Sequence, residues 1–177
     1  MNELIDQVIT AFLAQSPLEM VAVILGLAYL VLAMRQSSWC WYAAFGSTGI
    51  FTALFWDVSL LMESALNLYY LIMAVYGWWA WKYGAFNAVG AVELPIQTWS
   101  AWRHLMVAAI ILLLTLISGY LLSENTSSVM PYLDSFTTWG AVLTTWMVTR
   151  KVLENWLYWI VIDAAAIYLY LDRELYL

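Results

Sequence analysis

Six long apolar runs, separated by short polar and charged clusters, dominate this sequence. They fall at residues 17–34, 38–57, 59–82, 101–122, 132–149 and 153–171. Each approaches the roughly 20 residues that an α-helix needs to cross about 30 Å of hydrocarbon. Ahead of them, Leu4, Ile5, Val8, Ile9 and Phe12 recur at helical spacing, with Glu3 and Asp6 on other faces. That pattern predicts an amphipathic helix over 1–16 lying in a membrane interface. It is not a signal peptide, because it lacks a basic start and an unbroken apolar core. The longest polar stretch, 83–100, contains Gly84, Gly90 and Pro95 and reads as a linker between halves. A second loop, 123–131, is rich in Ser, Asn and Thr.

Composition turns six apolar helices into a membrane protein. The chain is 65% hydrophobic and 10% charged, with mean hydropathy +0.80, whereas a soluble domain carries about 25% charged residues. Twelve Trp and twelve Tyr exceed what packing needs and suit both headgroup belts and a cavity for a flat ring. The lone Cys40 excludes an intramolecular disulfide and reads as a small buried hydrophobe. A net charge of -6 with no basic patch excludes nucleic acid as a partner. The cations are one-sided. Arg35, Lys82, Arg103, Arg150 and Lys151 map to one face of the membrane and only Arg173 to the other. Positive loops stay in the cytoplasm, so the N-terminus is expected outside.

The chain also matches itself at an offset of 115 residues. Arg35 falls on Arg150, Trp41 on Trp156, Asp57 on Asp172, and Leu18-Glu19 on Leu133-Asp134. The offset carries helix 1 to helix 5, an even number of crossings, so the two units point the same way. This predicts parallel pseudo-repeats joined by one inverting helix, an arrangement that puts a substrate site near the midplane between halves. The expected organisation is an interfacial helix over 1–16, a three-helix unit over 17–82, a linker and inverting helix 4 over 83–122, and an incomplete second unit over 123–177. A seventh helix, the counterpart of helix 3, is absent from this chain. The competing expectation is a natural six-helix protein.

Chemistry-bearing residues concentrate on helices 3, 5 and 6. On helix 3, Asn67, Tyr70, Ala74 and Trp78 or Trp81 can share a face. An intramembrane amide needs a partner or a ligand, and Gly77 lets a backbone or a flat ring approach closely. Trp78, Trp79 and Trp81 read equally as an interfacial belt beside Lys82. On helix 6, Trp156, Trp159 and Asp163 stand at i, i+3 and i+7. Asp163 falls near mid-span, where a carboxylate needs a counter-charge or a wet cavity, and a cationic substrate between Trp faces would supply one. The plainer reading is a structural carboxylate bonded to hydroxyls. Glu154 and Asn155 can cap helix 6 and pair with Arg150 and Lys151. Helix 5 offers Thr138 and Trp139 as cavity residues, although most membrane hydroxyls bond their own helix. His104 beside Arg103 reads as solvated. No metal set, phosphate loop or nucleophile with a base is present, which argues against an enzyme and implies no cofactor.

The strings Asn67 to Trp81, Asp134 to Thr138 and above all Thr149 to Asp163, TRKVLENWLYWIVID, resemble the Pnu vitamin transporters. Branches of that family include PnuC for nicotinamide riboside and PnuT for thiamine. The resemblance implies an all-α polytopic fold of the SWEET-like three-plus-one-plus-three type in a bacterial inner membrane, with its N-terminus outside. It also implies facilitated diffusion of a small cationic vitamin, trapped inside by a cytoplasmic kinase, and is compatible with a homo-oligomer. LFWDVSLLMESAL and DSFTTWGAVLTTWMV look more like the thiamine branch. Thiamine is therefore the expected substrate and nicotinamide riboside the alternative. The substrate-binding set is Asn67, Tyr70, Trp78, Thr138, Trp139, Asn155, Trp156, Trp159 and Asp163. A membrane enzyme or a non-transporting scaffold is the different-class alternative, and a mid-depth cavity lined by Trp156, Trp159 and Asn67 would argue against both.

Overall fold

The computed structural model of the protein describes residues 16–57, 61–87, 90–126 and 129–172. The surface helix expected over 1–16 lies outside them, apart from Ser16. Six helices follow the six apolar runs: α1 (Pro17–Met34), α2 (Cys40–Asp57), α3 (Leu61–Tyr83), α4 (Ala101–Asn125), α5 (Pro131–Thr149) and α6 (Asn155–Asp172). The start of α1 is written in its sequence. Ser16 accepts from the Glu19 backbone N–H at 3.2 Å while the Glu19 carboxylate accepts from the Ser16 N–H, and Pro17 occupies the first turn. This capping box satisfies donors that a helix end otherwise leaves open. Large apolar side chains point outward, as on Ile24 (64% exposed) and Leu116 (60%), the reverse of a water-soluble fold. Among the described residues, α1 and α4 are each long and apolar enough to cross a membrane by themselves.

The chain divides into two compact units, Met1–Pro95 and Ile96–Leu177. In the first, α2 packs against both α1 and α3. Small residues make the close approaches. Ser47 donates from Oγ to the Ala22 carbonyl at 2.8 Å, and Ser64 donates to Thr52 O at 2.9 Å, so hydroxyls tie helices where lipid gives no hydrophobic drive. In the second unit α5 packs against both α4 and α6. Most of its buried positions, Ser135, Gly140, Ala141, Thr144, Thr145 and Thr149, are small or hydroxylic, with Met147 and Val148 the larger exceptions. Val107, Ile111, Met147 and Val152 form a buried cluster there.

The Trp139 indole donates to Ser118 Oγ at 2.9 Å, joining α5 to α4. Trp139→Phe and Ser118→Ala should each destabilise the protein, with a coupling between them of about 0.6 kcal/mol, the size usual for polar contacts between membrane helices. Unfolding of the detergent-solubilised variants in SDS measures it. Strictly additive losses would mean that the bond adds nothing.

The turns after α1 and α5 are alike, atom for atom along the backbone. Arg35 and Arg150 close their helices near φ -81° and -92°, and the next residues, Gln36 and Lys151, adopt φ 55° and 51°. Gln36 N–H donates to Ala33 O, and Lys151 N–H to Val148 O. Ser37 N–H donates to Leu32 O, and Val152 N–H to Met147 O. Both are Schellman turns, which use a left-handed residue to satisfy the last carbonyls of a helix. These two bonds in one turn have their counterparts 115 positions along in the other.

The polar stretch after α3 is more ordered than a bare linker. Strands β1 (Ala85–Asn87) and β2 (Gly90–Val92) pair antiparallel, and Gly90 supplies the positive φ of 129° at the turn. Leu94 N–H then donates to Trp81 O, returning the chain to the end of α3. Further on, Gln97 forms a parallel bridge with Val152, laying residues 96–99 along the turn between α5 and α6.

Candidate functional site

Unit one holds Asn67, Tyr70 and Trp78 of the expected set. The Asn67 amide donates to its own helix at Glu63 O, 3.0 Å away, and the Tyr70 ring lies 5.7 Å from that of Tyr69. Trp78 is half-buried beneath the Lys82 ammonium, 5.2 Å from the ring centre, and meets Tyr42 and Tyr83 edge-on. Trp79 is half exposed, as a belt residue would be, whereas Trp81 is fully buried. Trp81 stands perpendicular to Trp41 at 5.3 Å, and Trp41 lies flush on Gly77. The flat ring that Gly77 admits is thus the protein's own. An apolar groove of about 300 Å³ is lined by Trp41, Tyr42, Phe45, Ala74, Val75 and Trp78. The indole N–H groups of Trp41 and Trp78 are buried without a partner. Trp41 entered the sequence reading only as a match to Trp156, and nothing in its local spacing marks it as a packing centre.

Unit two holds the remainder. Asn155 opens α6 with its side chain buried. Its amide nitrogen donates to Val152 O at 2.6 Å, while its carbonyl oxygen has no partner. Trp156 and Trp159 follow, half-buried, and Asp163 is exposed halfway along the helix. Thr138 is half-buried, and the Trp139 N–H is spent on Ser118. On α5 the hydroxyls of Ser135 and Thr144 are buried and unpartnered. A second apolar groove, about 370 Å³, includes Ile111, Phe136, Gly140, Tyr158 and Ile162 in its lining. Neither groove is lined by Asn67, Trp156 or Trp159.

His104 is not simply solvated. Its Nδ1 lies 3.0 Å from the Tyr158 hydroxyl, and its Nε2 lies 3.8 Å from Glu154. Glu154 accepts from the Trp99 backbone N–H at 3.2 and 3.4 Å, so it serves the 96–99 segment besides opening α6. Sequence spacing hid this network because its partners lie 50 or more positions apart. A single His and a single Glu carry no periodic signal.

No three His, Cys, Asp or Glu side chains cluster as metal ligands among the described residues. Each unit instead carries indoles, amides and hydroxyls among its apolar side chains. The chain is a membrane transporter rather than an enzyme. The chain belongs to the family described as nicotinamide mononucleotide transporter, whose profile matches residues 16–177. It is similar to the riboflavin/roseoflavin transporter RibM of Streptomyces davaonensis, at 28% identity over 84% of this chain and 70% of that one. It is also similar to the nicotinamide riboside transporter PnuC of Escherichia coli, at 23% identity over 90% of this chain and 76% of that one. A crystal structure of the vitamin B3 transporter PnuC shares the fold, with a TM-score of 0.70 at 22% identity over 94% of this chain and 72% of that one.

Proposed function

We propose that the chain carries a flat, cationic vitamin into the cell by facilitated diffusion, with net uptake maintained when a cytoplasmic kinase phosphorylates the cargo. The observation that carries this reading is the first turn of α6. There a buried Asn155 carbonyl lacks a donor, and two half-buried indoles follow within one turn. The amino group of a nicotinamide or an aminopyrimidine supplies that donor, and its ring suits the indole faces. Thr138 and Trp139 are the further proposed substrate residues of the second unit, Asn67, Tyr70 and Trp78 those of the first, and Asp163 offsets the positive charge.

Two substrates fit. Nicotinamide riboside is favoured by the names of the relatives, thiamine by the strings around Trp56 and Trp139. Riboside is the first to test. In this reading the six helices are crossings of a bacterial inner membrane with the N-terminus outside and Arg35, Lys82, Arg103, Arg150 and Lys151 inside. The matching turns at Gln36 and Lys151 support a repeated three-helix pattern of the kind SWEET carriers use.

Proteoliposomes with no ion gradient and no ATP test it. Labelled riboside should equilibrate across the membrane and be competed by unlabelled riboside. Blocking by thiamine alone would transfer the assignment to thiamine. Equilibration of neither compound would overturn the reading.

A further inference from the structure

The segment 96–99 is fastened to the turn that delivers the proposed substrate residues. Gln97 N–H donates to Lys151 O at 2.9 Å, and Leu153 N–H donates back to Gln97 O at 2.8 Å. One residue further along, Glu154 takes up the Trp99 N–H. The Glu154 carboxylate also faces His104 on the first turn of α4, and His104 reaches Tyr158 on the first turn of α6. The Trp99 ring lies 6.0 Å from His104 and 5.5 Å from Trp146. The contacts close a circuit from the segment through Glu154, His104 and Tyr158 back to the stretch carrying Asn155, Trp156 and Trp159.

From this circuit we propose that Glu154 and His104 are positioning residues, which hold the first turn of α6 in its substrate-binding geometry and tighten that hold when the imidazole gains a proton. The proposal rests on the substrate reading given above for that turn. Neutral imidazole has one N–H, and His104 Nε2 is buried with no hydrogen-bond partner although a carboxylate stands 3.8 Å away. In the imidazolium both nitrogens donate. Nδ1–H then serves the Tyr158 oxygen, and Nε2–H closes on Glu154 as a charge-assisted bond. Glu154 and Tyr158 are the titratable groups against the ring. Arg103 on the same turn, and Arg150 and Lys151 in the turn after α5, are cations that oppose the imidazolium. The Glu154 carboxylate stands 3.8 Å from the ring, the range at which Coulomb attraction is largest.

Two measurements test this on purified, full-length protein. Without substrate, indole fluorescence is followed from about pH 8 to about pH 5.5, the range in which imidazole ordinarily titrates. An imidazolium quenches an adjacent indole, so emission should fall in the wild type and stay flat in His104→Gln and Trp99→Phe. Equilibrium binding of nicotinamide riboside, with thiamine in parallel, should tighten about three- to tenfold over the same fall in pH. Glu154→Gln keeps the acceptor for Trp99 and should bind with a flattened profile, whereas Glu154→Ala should lose about tenfold at every pH.

A wild-type profile in His104→Gln or Glu154→Gln overturns the proposal, as does wild-type binding by Glu154→Ala. If the alanine variant is not monodisperse, Glu154→Gln decides. Vitamin binding with a flat fluorescence titration removes the positioning role alone. A fluorescence transition with no vitamin bound at any pH removes the substrate reading and the positioning role with it, leaving only the His104–Glu154 contact.

Discussion

Asparagine in place of Asp163 is expected to weaken binding of a cationic vitamin by roughly ten- to hundredfold, the span that loss of a charged contact brings, and to leave neutral riboflavin indifferent. Asp163 sits halfway along α6 on its exposed side, between Ile160 (66% exposed) and Ile167 (58%). No side chain among the described residues pairs with it. A carboxylate turned toward hydrocarbon costs about 2.5–3.5 kcal/mol. Without a compensating role it is a liability that any neutral residue would relieve. In the proposed function a cationic cargo would provide the compensation, so the asparagine variant should lose affinity while its thermal midpoint holds or rises. Titration calorimetry and a melting curve on one preparation measure both. Unchanged affinity for both riboside and thiamine would end the counter-ion role.

The second large effect falls on stability. Gly77→Ala should destabilise the protein by about 1–3 kcal/mol, and Gly77→Val by more, because a new Cβ runs into the face of Trp41. That ring borders the groove it shares with Tyr42 and Phe45 but is closely held by its neighbours. Trp41 is 3% exposed and Trp81 is 2% exposed, and Tyr29 lies against the other side of Trp41 at 6.1 Å. Trimming the obstacle should help. Trp41→Leu is costly alone, by about 3 kcal/mol from the lost packing, but adding Gly77→Ala to it should cost far less than Gly77→Ala does in the wild type. Thermal midpoints of the four proteins form the cycle, and additive losses would exclude this contact as the cause.

The helices were legible because lipid makes length and apolarity do most of the specifying. The runs read at 17–34 and 132–149 became Pro17–Met34 and Pro131–Thr149, with Ser16 and the two prolines marking the starts. The run at 101–122 continues to Asn125, because Ser123 and Asn125 bond back into the helix and carry it past its apolar part. Roles were harder to read than elements. Trp139 reads as a cavity residue by spacing, and the bond that holds its N–H on Ser118 was not legible there. Tertiary neighbours decide whether an indole faces a ligand or another helix, and helical periodicity does not encode them. The hairpin at 85–92 and the Gln97 bridge escaped notice for a related reason. Both are built from backbone groups, which every residue possesses and no side-chain pattern announces.

The fastening of residues 96–99 to the turn after α5 also sets an order of events during synthesis. Trp99 leaves the ribosome 55 positions ahead of Glu154, an interval of about 3–11 s at about 5–20 residues per second. Throughout that interval the N–H and C=O of Gln97 have no protein partner, and hydrocarbon offers them none. They must wait in water or among headgroups, which keeps this stretch from slipping inward while α4 and α5 are threaded. Only when Val152 arrives can the two strands of backbone meet, so this end of the second unit can close only after α4 and α5 have been made and as α6 begins.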